Sequence, residues 1–224
     1  MRKTAILFII LLYCLVFVCG CLQASSEPPV YATMSTIKPL AKSVGIPNTY
    51  QKYVNNEDHF YVYLPSGWST KVADKSESSV VSDQKDVLQK IVFFNDKDTD
   101  PSEYQMYVLG MDTKISAMVS SGDSKKDLIG FNDGVIFGIK NSMEKGGATN
   151  FVIESKGDYS YYGNHEAVTN ILSYSNGEVK IKSKITVIKR GSIYYTIFYY
   201  AIDDVYAQQI GTIDIILPTF TPTD

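Results

Sequence analysis

The stretch that decides the fold is Ile185–Ala201, which reads ITVIKRGSIYYTIFYYA. Two runs rich in β-branched and aromatic residues flank Gly191-Ser192, so the stretch predicts an antiparallel hairpin with a tight turn. In the second run, Ile193–Ala201, both alternating sets of residues are largely apolar, which indicates a strand buried on both faces. Such a strand needs cover on each side. The predicted fold is therefore α+β, an antiparallel β-sheet flanked by helices on both faces.

The strands around this hairpin follow from short apolar runs and from alternation of apolar with polar residues. They are predicted at His59–Leu64, Leu88–Phe94, Gln105–Met111, Phe151–Lys156, Ala167–Tyr174 and Glu178–Arg190. Asn176-Gly177 predicts a hairpin between the last two, because both residues accept positive φ. Tyr159, Tyr161 and Tyr162 fall in a predicted turn region between Gly157 and Gly163.

Two segments carry the period of a helix. Apolar residues recur at spacings of three and four in the first, at Leu128, Phe131, Val135, Ile136, Ile139 and Met143. They predict an amphipathic helix that Asp123 or Ser124 caps at its start and Gly146-Gly147 ends. The second predicted helix is Asp203–Leu217.

The N-terminus has the layout of an export signal. Arg2-Lys3 precedes Thr4–Val18, which is almost continuously apolar but shorter than the ~20 residues that a membrane-spanning helix needs. Val18-Cys19-Gly20 before Cys21 resembles the lipobox of prokaryotic lipoproteins. The resemblance implies cleavage before Cys21 and lipid attachment to its sulfur. The alternatives are an uncleaved anchor helix and plain secretion with cleavage near Ala24.

These patterns divide the chain into a signal peptide (1–20), a Pro- and Ser-containing tether (21–50) and a folded domain (51–224). The three Cys all lie in residues 14–21, so the domain has no disulfide to rely on. The formal net charge of −3 argues against a nucleic-acid partner. We expect a protein anchored by lipid at the extracytoplasmic face of the cell membrane, with membrane lipid and another protein as partners.

Both ends of the domain resemble a known family. Phe60-x-Val-x-Leu-Pro-x-Gly-Trp68 is similar to the opening strand and turn of PsbP-like domains, the group that includes the extrinsic PsbP protein of photosystem II. The hairpin in 185–201 and the segment 203–220 resemble the closing hairpin and final helix of that family. The resemblance implies an α/β/α sandwich. It implies no catalytic residue, because the matching motifs are structural.

Catalytic and zinc motifs are incomplete. The chain has two His, and no Ser lies in a Gly-x-Ser-x-Gly motif. His165-Glu166 begins like a zinc-binding His-Glu-x-x-His, but residue 169 is Thr. The sequence therefore predicts no catalytic residue, no metal site and no cofactor, with His59 and His165 at the surface or at strand ends.

Three surface features leave alternatives open. Alternating carboxylates at Asp96, Asp98, Asp100 and Glu103 imitate half of a calcium loop, although Pro101 stands where Gly is required, and a solvated connection is the preferred interpretation. The stripe Lys180, Lys182 and Lys184 either solvates one strand face or protects a sheet edge, and contact with anionic headgroups or a partner is the less favoured alternative. The Tyr159–Tyr162 rings are expected to lie partly buried at sheet ends, whereas exposed rings would suit protein or glycan contact.

The function that these observations favour is a non-enzymatic interaction or accessory module of a membrane-associated assembly. The alternative is a lipoprotein that binds a small ligand or calcium. A hydrolase with paired carboxylates is a third and weaker hypothesis.

Overall fold

A computed structural model of the chain describes residues 45–72, 88–96, 104–112 and 120–223. In chain order, the elements in this part are β1 (Tyr50–Asn55), β2 (Phe60–Pro65), β3 (Trp68–Val72), β4 (Leu88–Asp96), β5 (Tyr104–Asp112), α1 (Ser124–Lys145), β6 (Thr149–Tyr162), β7 (His165–Asn176), β8 (Val179–Arg190), β9 (Ile193–Ile202), α2 (Asp203–Ile216), a 3₁₀ turn (Leu217–Thr219) and β10 (Thr221–Pro222). Neither helix is long and apolar enough to cross a membrane.

The strands form two antiparallel sheets. The larger has seven strands in the order β3-β4-β5-β9-β8-β7-β6, and the smaller has the order β1-β2-β10. Strand β9 pairs with β8 through a tight hairpin. On its other side β9 pairs with β5, which lies much earlier in the sequence, and Tyr107 of β5 lies opposite Phe198 of β9. The predicted α+β fold with an antiparallel sheet is confirmed.

Buried residues of β9 alternate between two hydrophobic cores, because successive side chains of a strand point to opposite faces. Tyr194, Phe198 and Tyr200 belong to the first core, which also holds the buried side chains of α1. Tyr195, Ile197 and Tyr199 belong to the second core, which holds the buried side chains of α2. We call these the α1 core and the α2 core below.

The small sheet closes the α2 core. Phe60, Val62 and Leu64 of β2 point into this core, and the Phe60 and Phe220 rings stack with centroids 4.9 Å apart. The Tyr195 hydroxyl of β9 donates hydrogen bonds to the backbone oxygens of Asp58 (2.8 Å) and His59 (3.1 Å). The small sheet is thus attached to the centre of the large one.

The predicted signals for the first helix and for the β7–β8 hairpin are confirmed. Asp123 precedes α1, and its carboxylate accepts a hydrogen bond from the backbone N–H of Lys126 (3.1 Å). The helix ends at Gly146. Gly177 has φ 61°, as a tight hairpin between β7 and β8 requires.

The prediction of a turn around Tyr159, Tyr161 and Tyr162 is wrong, because these residues lie inside β6, which continues to Tyr162. Gly157, with φ 71°, lies in an irregular part of the strand pairing rather than in a turn. The partly buried environment expected for the rings is confirmed: two are half-buried and Tyr162 is buried.

The interpretation of the lysine stripe as edge protection is also wrong. Strand β8 lies inside the large sheet, where β7 and β9 pair with it along its length, and the outer strands are β3 and β6. Two of the lysines form ion pairs across that face, Lys182 with Glu154 and Lys184 with Asp214, each at 2.5 Å.

Strands β1, β3 and β10 were not predicted from the sequence.

Candidate functional site

A group of hydrogen-bonded polar side chains surrounds Glu166, the second residue of β7. One carboxylate oxygen, Oε1, accepts a hydrogen bond from the Tyr159 hydroxyl of β6 (2.5 Å). The other, Oε2, accepts one from the hydroxyl of Ser124, the first residue of α1. One side chain thus connects the outer strand of the sheet to the start of the helix.

Lys189 of β8 extends the group. Its Nζ donates to the Ser124 hydroxyl oxygen (2.8 Å), so this serine bridges an ammonium group and a carboxylate. We call Ser124, Tyr159, Tyr161, Glu166 and Lys189 the Glu166 cluster. Its five members come from four elements, α1, β6, β7 and β8.

Two tyrosine rings form the aromatic part of the cluster. Tyr159 and Tyr161 pack edge to face with centroids 5.7 Å apart and an interplanar angle of 86°, and both are half-buried. The Nζ of Lys125 lies 4.4 Å from the centroid of the Tyr159 ring, within the range of a cation–π contact. Glu166, Lys125 and Tyr161 thus all contact Tyr159, and Tyr161 packs against it.

Tyr159 and the neighbouring Tyr194 have pKa values above the ordinary value of a phenol. Burial raises the pKa of Tyr159, and its hydrogen bond to Glu166 raises that pKa further. Burial, followed by the charges of Asp127 and Glu166, raises the pKa of the neighbouring Tyr194 to about 12. At neutral pH these phenols therefore act as hydrogen-bond donors.

Asp127, in the first turn of α1, holds the chain that leads into the helix. Its carboxylate accepts hydrogen bonds from the Ser120 hydroxyl (2.6 Å) and the Ser121 backbone N–H (2.7 Å). These bonds, with a smaller contribution from the charge of Lys189, lower the pKa of Asp127 to about 2.

This shift predicts a pH dependence of stability. The carboxyl has a pKa of 3.8 without the folded environment and about 2 within it, so its stabilising contribution is complete above pH 3.8 and is lost as the pH falls towards 2. We expect Asp127→Asn to lower the urea midpoint at pH 7, and the difference from the wild type to shrink between pH 4 and 2. Urea unfolding across that range measures it. Equal differences at pH 7 and pH 2 would contradict the assignment.

Ser124 is shared within the Glu166 cluster, because Lys189 donates to its hydroxyl oxygen and its hydroxyl donates to Glu166, which also accepts from Tyr159. Beside this network lie the half-buried rings of Tyr159 and Tyr161, with Lys125 next to the Tyr159 ring.

Several residues singled out by sequence lie outside the described residues. These are the lipid-attachment candidate Cys21 and the calcium candidates Asp98, Asp100 and Glu103, while Asp96 ends β4 and its side chain is not described. Within residues 45–72, 88–96, 104–112 and 120–223, no group of three or more His, Cys, Asp or Glu side chains is placed to hold a metal ion.

The two histidines lie where the sequence predicts. His59 is exposed in the turn between β1 and β2, with φ 55°. His165 is the half-buried first residue of β7, and burial, together with the charge of Arg190, lowers its pKa. Neither belongs to the hydrogen-bonded group around Glu166.

Sequence patterns do not reveal the centre of the cluster. Glu166 stands out only as part of an incomplete zinc motif and Ser124 only as a helix cap, and no pattern singles out Lys189. No local signal identifies them, because each contributes one side chain from a different element and the sheet register alone brings them together.

The fold defines an α+β domain built on a seven-stranded antiparallel sheet. Neither a protein-family model nor a curated protein matches the chain. Similar solved structures include the cyanobacterial PsbP protein CyanoP of Synechocystis, with 15% identity, a TM-score of 0.49, and coverage of 83% of this chain and 99% of that one.

A second similar structure is LpqN of Mycobacterium tuberculosis, described as involved in cell envelope biogenesis, with 14% identity, a TM-score of 0.48, and coverage of 79% of this chain and 93% of that one. A third is a variant of Mog1, with 10% identity, a TM-score of 0.46, and coverage of 78% and 96% respectively. The similar structures thus include a PsbP protein, from the family that the ends of this domain resemble in sequence.

Proposed function

We propose that the protein is a lipid-anchored, extracytoplasmic interaction module that serves a membrane-associated assembly as a non-enzymatic accessory subunit. The anchor is a lipid on Cys21 after removal of residues 1–20. The domain that it carries is a PsbP-like sandwich, with α1 and α2 on opposite faces of the large sheet. The assignment of α1 and α2 residues to different cores supports this arrangement.

The observation that carries the proposal is the pair of fixed tyrosine rings in the Glu166 cluster. Tyrosine is enriched at protein interfaces because it offers a large contact area and a polar hydroxyl. Tyr159 is already held by Glu166, and Lys125 lies over its ring. Little side-chain entropy is therefore lost when a partner binds these rings.

The test is a quantitative pull-down of the full-length protein after cross-linking in its own membranes. We expect a partner to be captured by the wild type and its yield to fall about tenfold in the double variant Tyr159→Ala/Tyr161→Ala, if the rings contribute about 1.4 kcal/mol or more to binding. Circular dichroism establishes that the variant is folded.

The chain offers a matched control on the small sheet. Tyr61 and Tyr63 also pack edge to face, with centroids 6.1 Å apart, and Lys52 lies 3.8 Å from the centre of the Tyr61 ring. The variant Tyr61→Ala/Tyr63→Ala should keep the partner. Equal loss in both double variants would contradict a specific role for the Glu166 cluster.

A Cys21→Ala variant tests the anchor separately. We expect intact mass spectrometry to show that the wild type has lost residues 1–20 and carries a lipid on Cys21, and that Cys21→Ala keeps residues 1–20 without lipid. A wild-type chain that keeps residues 1–20 and carries no lipid would contradict lipid anchoring and favour an uncleaved anchor helix.

A lipoprotein that binds a small ligand is a second candidate, and a different observation favours it. The buried hydroxyls of Tyr199 and Tyr206 in the α2 core have no hydrogen-bond partner in the part of the chain that the structure describes.

A further inference from the structure

Strand β6 is an outer strand of the large sheet, so one of its edges has no strand partner in the part of the chain that the structure describes. The backbone N–H and C=O groups at such an edge can pair with another extended chain. Tyr159 and Tyr161, whose rings form the proposed interaction surface, both lie in this strand. The direction of their backbone groups therefore decides how a partner can bind them.

The turn after β6 determines that direction. Only Gly163 and Asn164 separate Tyr162 of β6 from its partner His165 of β7, and Gly163 has φ 57°. In a two-residue turn with Gly at the first central position, the two flanking residues form a hydrogen-bonded pair. Further along an antiparallel pair, residues alternate between bonding to the neighbouring strand and pointing away from it.

The backbone groups of Tyr159 and Tyr161 therefore point away from β7. The pairing is regular from Tyr162 back to Asp158, so Tyr162 and Ser160 bond to β7, while Tyr161 and Tyr159 direct N–H and C=O to the outer edge. The Tyr159 ring packs against the α1 core and the Tyr161 ring packs against Tyr159. An open backbone edge and a pair of aromatic rings thus coincide at the same two residues.

The open edge is short. Irregularities interrupt the β6–β7 pairing at three places between Thr149 and Asp158, and Gly157 in this part has φ 71°. Such irregularities bend a strand and protect its edge from a second sheet. The regular run Asp158–Tyr162 is about 17 Å long at ~3.4 Å per residue, whereas each partner in a stable dimer buries about 800 Å². This edge fits one short extended segment and is too small to join two copies of the domain.

We propose that the protein partner contributes an extended segment, which adds to the seven-stranded sheet as a further strand beside Asp158–Tyr162. This inference rests on the proposed interaction function and specifies its mode. The segment bonds to the N–H and C=O groups of Tyr159 and Tyr161. Its side chains lie beside the tyrosine rings on the α1 face and beside Asp158 and Ser160 on the other face. It therefore alternates apolar or aromatic residues with polar ones.

The first test compares Tyr161→Pro with Tyr161→Ala in the cross-linking pull-down of the full-length protein. Both variants lose the ring, but only proline also loses the outward N–H. Proline is tolerated at an edge position whose N–H faces solvent, and circular dichroism establishes that both variants are folded. We expect the yield of partner to be about tenfold lower for Tyr161→Pro than for Tyr161→Ala. Equal yields would overturn strand addition.

The second test uses a synthetic peptide of alternating valine and threonine and the full-length protein in detergent micelles. N-methyl groups on every second residue leave the peptide one edge that can pair, and a control peptide carries N-methyl groups on every residue. With about nine-tenths of the protein bound, exchange of the Tyr159 and Tyr161 amides with water should slow about tenfold, because exchange proceeds from the unbound form. NMR measures it.

Three results of this second test would overturn the proposal. The first is unchanged exchange of the Tyr159 and Tyr161 amides at the highest peptide concentration. The second is equal slowing with the control peptide, since that peptide cannot donate hydrogen bonds to the edge. The third is a doubled mass in sedimentation with the same amides protected in the absence of peptide, which would assign the edge to a second copy of the chain.

The outcomes separate this inference from the proposed function. Loss of the partner in Tyr159→Ala/Tyr161→Ala, with equal yields for Tyr161→Ala and Tyr161→Pro, would keep the interaction surface and overturn strand addition. Protection by the peptide without any captured partner would keep the strand-binding edge and contradict the role as an accessory subunit.

Discussion

Tyr195→Ala should lower the free energy of unfolding by about 3–5 kcal/mol, the range for removal of a buried aromatic side chain. Tyr195 is fully buried at the centre of β9, with its ring 6.0 Å from Phe60 and 5.4 Å from Phe220. Its hydroxyl also holds the turn before β2. The substitution removes both the packing and the hydrogen bonds between the two sheets.

Tyr195→Phe separates the two contributions. It keeps the ring and deletes the bonds to the Asp58 and His59 oxygens, so it should cost about 1–2 kcal/mol. Urea unfolding followed by circular dichroism measures both variants. If Tyr195→Phe costs as much as Tyr195→Ala, the hydroxyl rather than the ring holds the sheets together, and our assignment is wrong.

The second large effect is expected at a buried pair of amides in the α1 core. Asn170 Nδ2 of β7 donates to Asn132 Oδ1 of α1 (2.6 Å), and Asn170 Oδ1 accepts from the backbone N–H of Gly157 (3.0 Å). Both side chains are buried, at 0% and 1% exposure. Asn132→Ala should cost about 1–3 kcal/mol, because it leaves a buried amide donor without its partner.

A double-mutant cycle tests this pair. Asn132→Ala/Asn170→Ala should cost less than the sum of the single variants, with a coupling energy of about 0.5–3 kcal/mol. As a control, Asn132→Ala should be additive with Thr186→Val, since Thr186 is buried and pairs with Thr169 rather than with the asparagines. Additivity of the two asparagine variants would show that their hydrogen bond contributes no coupling.

The fold was predictable where the signals are local. Helix α1 follows from its apolar period, from Asp123 as cap and from Gly146, and the β7–β8 hairpin follows from Asn176-Gly177. Strand β1 was missed because YQKYVN is mostly polar and its partner β2 supplies the apolar side chains that enter the core. The edge interpretation of β8 rests on its charged face, although the hairpin signals at both of its ends, Asn176-Gly177 and Gly191-Ser192, already place it between β7 and β9.

The candidate site is harder to predict, because its members come from four separate elements. Tyr159 and Tyr161 stand out in the sequence, but Gly157 and Gly163 on either side of them predict a turn there. Their partner Glu166 follows the true turn, at Gly163, and Ser124 and Lys189 come from distant parts of the chain. Side chains that meet because their strands pair in a sheet are separated by no fixed number of residues, so no sequence pattern identifies them.

The position of β9 has a consequence for folding kinetics. Strands β6 to β9 are consecutive hairpin neighbours, so they can pair as soon as they are available, whereas β5 waits for a contact such as Tyr200–Gln105, 95 residues apart. A chain that emerges N-terminus first from a ribosome or a translocation channel cannot complete its sheet until β9 has emerged. The strands before β9 can form two separate groups, β3 to β5 and β6 to β8, and β9 in the last third of the chain is the strand that joins them into one sheet.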